Sequence, residues 1–101
     1  MHAKTATAPV HPGELLLEDF MKPAGITIHA LAVGLGVPST RISAIVNEKR
    51  GITADTALRL GRYFSTTSKF WMNIQSRYDL DVASDASMAE IERLVQPRTA
   101  A

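Results

Sequence analysis

A chain of 101 residues, 46% of them hydrophobic, is long enough to close one small core and too short for two. It has no cysteine, which excludes disulfides and thiolate metal sites, and no apolar run approaches the length of a membrane span, so a cytoplasmic location is expected. The net charge of +1 by itself argues against a nucleic-acid partner, but the charges are uneven. Between Val37 and Phe64 five basic residues (Arg41, Lys49, Arg50, Arg59, Arg62) stand against two acidic ones (Glu48, Asp55), a local +3 that fits either a phosphate-binding surface or a solvated helix face.

Residues 1–10 are small, polar and aperiodic and are read as a flexible tail; the sequence MHAKTATAPVHP lacks the continuous hydrophobic stretch of a signal peptide. A folded domain is expected over 11–95, followed by a second flexible tail over 96–101. His11-Pro12-Gly13-Glu14 opens a first helix predicted from about Pro12 to Lys22, with Leu16, Leu17, Phe20 and Met21 at helical spacing and Pro23 and Gly25 as its stop. Thr27 offers an N-cap to a second helix whose inward face is Leu31, Ala32 and Leu35.

A third helix starts near Pro38 or Ser39. Ile42, Ile45 and Val46 lie at i, i+3, i+4 and face inward, which turns Ser39, Thr40, Arg41, Ser43, Ala44 and Asn47 outward. Gly51 breaks the chain. Thr53-Ala-Asp-Thr then caps a fourth helix whose Ala57, Leu58, Leu60 and Phe64 are assigned to the core. Ser68 is the expected cap of a fifth helix carrying Phe70, Trp71, Ile74 and Tyr78, and Met88, Ile91, Leu94 and Val95 suggest a separate sixth. Strand alternation, repeats and low-complexity tracts are absent from the sequence.

The stretch Thr27 to Arg50, TIHALAVGLGVPSTRISAIVNEKR, carries the functional signal. Ala32 lets two helices approach, Gly36 takes a left-handed turn without a Cβ clash, and Ile42 enters the core, which together read as a helix-turn-helix unit. In such a unit the start of the second helix reaches base edges in the major groove. Ser39, Thr40, Arg41 and Ala44 are therefore the candidate base contacts: Arg41 for a guanine or a phosphate, Ser39 and Thr40 for several bases, Ala44 for a thymine methyl. Backbone contacts are assigned to Thr27, His29, Ser43, Asn47, Lys49 and Arg50, including phosphate capture at the amides opening the second helix. Singly, each has a plainer role: Ser39 as an N-cap, Asn47 as a C-cap, Arg41 as a surface charge.

Other chemistries find little support. His2, His11 and His29 are too scattered to hold a metal, and no cofactor is implied. Nucleophile–base pairs and phosphate loops are lacking, and Asp55 is read as part of a helix start, so no enzymatic activity is expected.

The chain resembles the HigA-type antitoxins, a branch of the lambda-repressor-like (XRE) helix-turn-helix family. The resemblance rests on HPGELLLEDF, LAVGLGVPSTRISAIVNEKR, ITADTALRLGRYF and FWMNIQSRYDL. It implies an all-α, lambda-repressor-like helix-turn-helix bundle of five to six helices. It also implies a homodimer that binds double-stranded operator DNA, represses its own operon and neutralises a HigB-like toxin, an mRNA-cleaving ribonuclease of RelE-like fold. A stand-alone XRE-family regulator without a toxin is the alternative. Phe70, Trp71, Ile74 and Tyr78 are most simply core, but the chain carries more apolar residues than it can cover, and with Met88 and Ile91 they are the candidate dimer interface; the acids Glu14, Glu18 and Asp19 are either a toxin contact or a solvated helix face. Glu48 departs from the family pattern, in which many relatives carry glycine, and is expected to alter the loop after the third helix.

Overall fold

A computed structural model describes residues 8–99. Within them the chain forms five helices and no strand: α1 is built from Pro12–Leu15, Leu16–Met21 and Lys22–Ala24 in succession, α2 is Ile28–Leu35, α3 Ser39–Val46, α4 Ala54–Phe64 and α5 Ser68–Leu94. Most of the tail expected over 1–10, with His2, and the end of the one over 96–101 lie outside the described residues.

α1 starts on an unforeseen cap. The His11 ring accepts a hydrogen bond at Nδ1 from the Gly13 amide at 2.9 Å, and it is buried edge-on against Tyr78 with ring centroids 4.8 Å apart. An accepting Nδ1 places the ring proton of the neutral imidazole on Nε2. The stop at Pro23 is corrected, because the helix passes through Pro23 and ends at Gly25, whose φ of 67° is left-handed. A proline inside a helix has no N–H to give and crowds the carbonyl four residues back. Here the preceding segment Leu16–Met21 is a π-helix, with the Lys22 amide reaching back to the Leu17 carbonyl, and this wider ladder accommodates the ring.

The next two helices follow the sequence closely. Thr27 caps α2 by accepting from the Ala30 amide at 3.0 Å, and Gly36 ends it at φ 70°, where the Val37 amide closes on the Ala32 carbonyl at 3.0 Å. Pro38, rather than Ser39, is the N-cap of α3, and it provides no side-chain acceptor. Ile42 and Ile45 are fully buried and Ala32 nearly so, as their assigned tasks require.

Thr53 caps α4, with Ala57 and Leu60 in the core and Phe64 packed against it; Leu58 is the exception, 63% exposed. It sits one residue past Ala57, about 100° around the helix from the Ala57, Leu60, Phe64 stripe. The cap of α5 is Thr67, not Ser68, accepting from the Phe70 amide at 3.0 Å. No break separates a fifth from a sixth helix, since α5 runs unbroken for 27 residues. Ser and Asp between Leu80 and Ser87 lower helix propensity by only tenths of a kcal/mol each, roughly, and neither Gly nor Pro interrupts them.

One core joins all five helices. Leu16, Leu31, Ile42, Ile45, Leu60 and Trp71 are fully buried at its centre. Phe20 of α1 lies 4.8 Å from Trp71 of α5 and 5.0 Å from Phe64 of α4, centroid to centroid, so aromatic rings lock the outer helices to the first. The loop after α3 is tied down by the Ile52 amide, which donates to Gln75 Oε1 of α5 at 2.6 Å. Beyond Asp81 every described side chain is exposed, and the last part of α5 projects from the bundle, giving the described chain a long axis of 55 Å against 31 and 21 Å.

Candidate nucleic-acid interface

α3 is held on its inner side by Ile42 and Ile45, and its outer side is left to polar residues. Ser39 and Thr40 are exposed at its start, while Arg41, Ser43 and Ala44 are half-buried. Three of the four base-reading candidates, Ser39, Thr40 and Arg41, thus lie in the first turn of α3, the end that major-groove reading uses, and Ala44 follows one turn on.

Its other end is tightly wound. The amides of Lys49 and Arg50 both close on the Ala44 carbonyl, at 2.8 and 3.3 Å. Asn47 is the C-cap, and its Nδ2 donates to the Ser43 carbonyl at 2.9 Å and to Ser43 Oγ at 3.2 Å, so these two assigned backbone contacts are already hydrogen-bonded to each other. Lys49 and Arg50 follow as exposed cations. Between them and the helix, Glu48 itself adopts the left-handed conformation at φ 61°. The loop that glycine would form is therefore kept with glutamate, at a steric cost of roughly 1–2 kcal/mol for the Cβ.

Thr27 and His29, exposed at the start of α2, supply the remaining assigned contacts. Thr27 Oγ1 is engaged as the α2 cap, leaving the amides of that first turn and His29 as the groups facing solvent there.

Arg41 has a partner that its sequence neighbours do not indicate. Its Nη1 donates to Asp55 Oδ2 at 2.8 Å, and the same oxygen accepts from Arg59 Nε at 2.9 Å. Arg59 reaches on through Nη1 to the carbonyls of Leu35 at 2.8 Å and Gly36 at 3.4 Å, at the end of α2. Hydrogen bonds from Arg59 first and Arg41 second hold the Asp55 carboxyl below its ordinary range, against a smaller opposing effect of burial. Asp55 at a helix start was visible in the sequence; that it serves two arginines was not, because Arg41 lies fourteen positions away.

The six residues assigned to a dimer surface do not share one surface. Trp71 is fully buried within its own chain, its indole N–H donating to Thr66 Oγ1 at 2.8 Å, and is corrected to a core residue. Phe70, Met88 and Ile91 are exposed, and Ile74 and Tyr78 are half-buried against the bundle. Among the described residues no group of three or more histidines and carboxylates forms a metal-binding cluster, and no helix is long and apolar enough to cross a membrane.

An all-helical bundle in which α2 and α3 are joined by a tight turn at left-handed Gly36 has the architecture of a helix-turn-helix protein, and the helix-turn-helix family profile matches residues 17–71. The chain is 52% identical over 80 residues to "Virulence-associated protein I" of Dichelobacter nodosus, covering 79% of this chain and 74% of the relative. It is 40% identical over 77 residues to "Antitoxin HigA-1" of Vibrio cholerae, covering 76% of this chain and 72% of the relative. The solved structure of the Pseudomonas aeruginosa antitoxin HigA with the higBA promoter superposes with a TM-score of 0.88 at 46% identity, over 91% of this chain and all of that one. This protein belongs to the HigA-type antitoxins of the helix-turn-helix family, which are DNA-binding proteins and not enzymes.

Proposed function

We propose that this chain is a dimeric, sequence-specific DNA-binding repressor of its own operon that also neutralises a HigB-like toxin, an mRNA-cleaving ribonuclease of RelE-like fold. The observation that carries the DNA part is α3 itself. Ser39 and Thr40 stand clear at its start, and Lys49 and Arg50 follow its end, so base-reading and phosphate-holding groups lie on one helix and the loop that leaves it. The Pseudomonas HigA solved with its promoter supports the same use of the same fold.

Two copies are needed for selectivity, because one short helix reads few base pairs. A symmetric dimer reads an inverted repeat with half-sites about 34 Å apart. We assign the dimer contact to the projecting part of α5, where Met88 and Ile91 are exposed and Leu94 continues the apolar stripe. Toxin binding rests on family membership, and no face of the bundle is assigned to it.

The test is binding of the purified protein to its own upstream DNA and to a scrambled sequence at about 150 mM salt, where nonspecific attraction is screened. A preference of roughly a thousandfold is expected for a specific reader. Equal, weak binding to both overturns the repressor function. Co-purification with the small protein encoded beside it tests the toxin part, and its absence leaves a stand-alone regulator.

A further inference from the structure

We propose that Asp55 is the positioning residue for Arg41, holding the guanidinium so that it reads a base edge and does not settle on phosphate. The inference rests on the DNA-reading function above. One carboxylate oxygen of Asp55 joins the two halves of the helix-turn-helix. It receives Arg41 Nη1 from the first turn of α3 at 2.8 Å and Arg59 Nε at 2.9 Å, and Arg59 is itself fastened to the Leu35 carbonyl closing α2 at 2.8 Å. The anchor is therefore part of the motif's own frame.

Stability does not account for this arrangement. The side chains are 27%, 55% and 40% exposed for Arg41, Asp55 and Arg59, and ion pairs so open to water contribute little to folding. What the shared acceptor fixes is direction. A free arginine has many rotamers to lose on binding, and one already held loses few. Bonding through a single Nη1 leaves the remaining guanidinium donors for the paired acceptors of a guanine. The adjacent negative charge also weakens the pull of a phosphate on Arg41. The Asp55 carboxyl, held below its ordinary range by both arginines, stays ionised and keeps this role at neutral pH.

The experiment measures Asp55→Asn, Asp55→Glu, Arg41→Ala and the double variant Arg41→Ala/Asp55→Asn, with circular dichroism to verify folding. Each binds the upstream DNA, its single-base-pair variants and scrambled DNA across a salt series. Asp55→Asn is expected to lose about five- to tenfold of the discrimination at the base pair that Arg41→Ala also relaxes. It should retain or gain affinity for scrambled DNA, with a salt slope steeper by about one as Arg41 turns to phosphate. Asp55→Glu should recover much of the discrimination, and in the Arg41→Ala background Asp55→Asn should change none. Wild-type discrimination in Asp55→Asn, or an equal loss in the Arg41→Ala background, overturns the proposal. A wild-type protein that does not distinguish upstream from scrambled DNA overturns the DNA-reading function instead.

Discussion

Gly13 of α1 lies directly against the carbonyl of Ile45 in α3, so closely that a β-carbon at position 13 would overlap it. The first helix thus sets the depth of α3, the proposed reading helix, through backbone contact, with no side chain between them. Gly13→Ala must push the two apart. It is expected to cost about 1–3 kcal/mol in a urea melt, as overpacking does, and to weaken DNA binding beyond what the stability loss explains. Unchanged stability and binding would show that the contact tolerates displacement.

Glu48 provides the converse case. It holds a left-handed backbone that glycine adopts freely, while glycine loses more chain entropy on folding. From the backbone alone, Glu48→Gly is expected to gain about 0.5–1 kcal/mol, less what the interaction of the glutamate side chain contributes. In a domain of this size that raises Tm by roughly 2–8 °C in a thermal scan. A lower Tm would mean that the glutamate side chain contributes more than its strain removes.

Trp71 and Ile91 separate core from surface on one helix. Trp71→Ala leaves a large cavity where Phe20 and Phe64 met the indole, and about 3–5 kcal/mol of stability goes with it, enough to unfold much of the protein. Met88→Glu with Ile91→Glu should leave the bundle's near-ultraviolet spectrum intact and shift sedimentation toward the monomer. A dimer that persists through this pair of charges would move the contact away from the end of α5.

Acid should act on the Asp55 pairs in a defined direction. A carboxyl whose folded pKa is depressed contributes stability above its unfolded value, and loses it as pH falls through the folded value. The wild-type protein is therefore expected to be slightly more stable than Asp55→Asn near neutral pH, with the difference in Tm shrinking as pH drops through and below the ordinary carboxylate range. A difference that does not change with pH would show that the pairs with Arg41 and Arg59 are not linked to folding.

Short-range rules explain what was legible in the sequence. Thr27 and Thr53 cap the helices that follow them and Gly36 ends α2, because each depends on neighbours within a turn, while Ala32 and Ile42 are buried as the helical period of their apolar neighbours implies. Leu58 is apolar but lies off the helical period of Ala57, Leu60 and Phe64, so its hydrophobicity alone does not place it in the core. His11 and the Arg41–Asp55–Arg59 group were hidden for another reason: their partners come from packing, and Tyr78 reaches His11 from the far end of the chain. The continuity of α5 was obscured by its serines and aspartates, which weaken a helix without ending it.

With the proposed dimer contact, that continuity would link folding to abundance. The thirteen residues from Val82 to Leu94 bury no side chain against their own bundle, and a helical length of that order is only marginally stable alone in water. Its amides should exchange with solvent quickly in dilute protein and slowly in concentrated protein, as a second copy covers the apolar stripe. Under the proposed pairing through α5, the end of that helix would act as a gauge of how much of the protein is present: protease-sensitive when copies are scarce, and protected once enough have accumulated to pair.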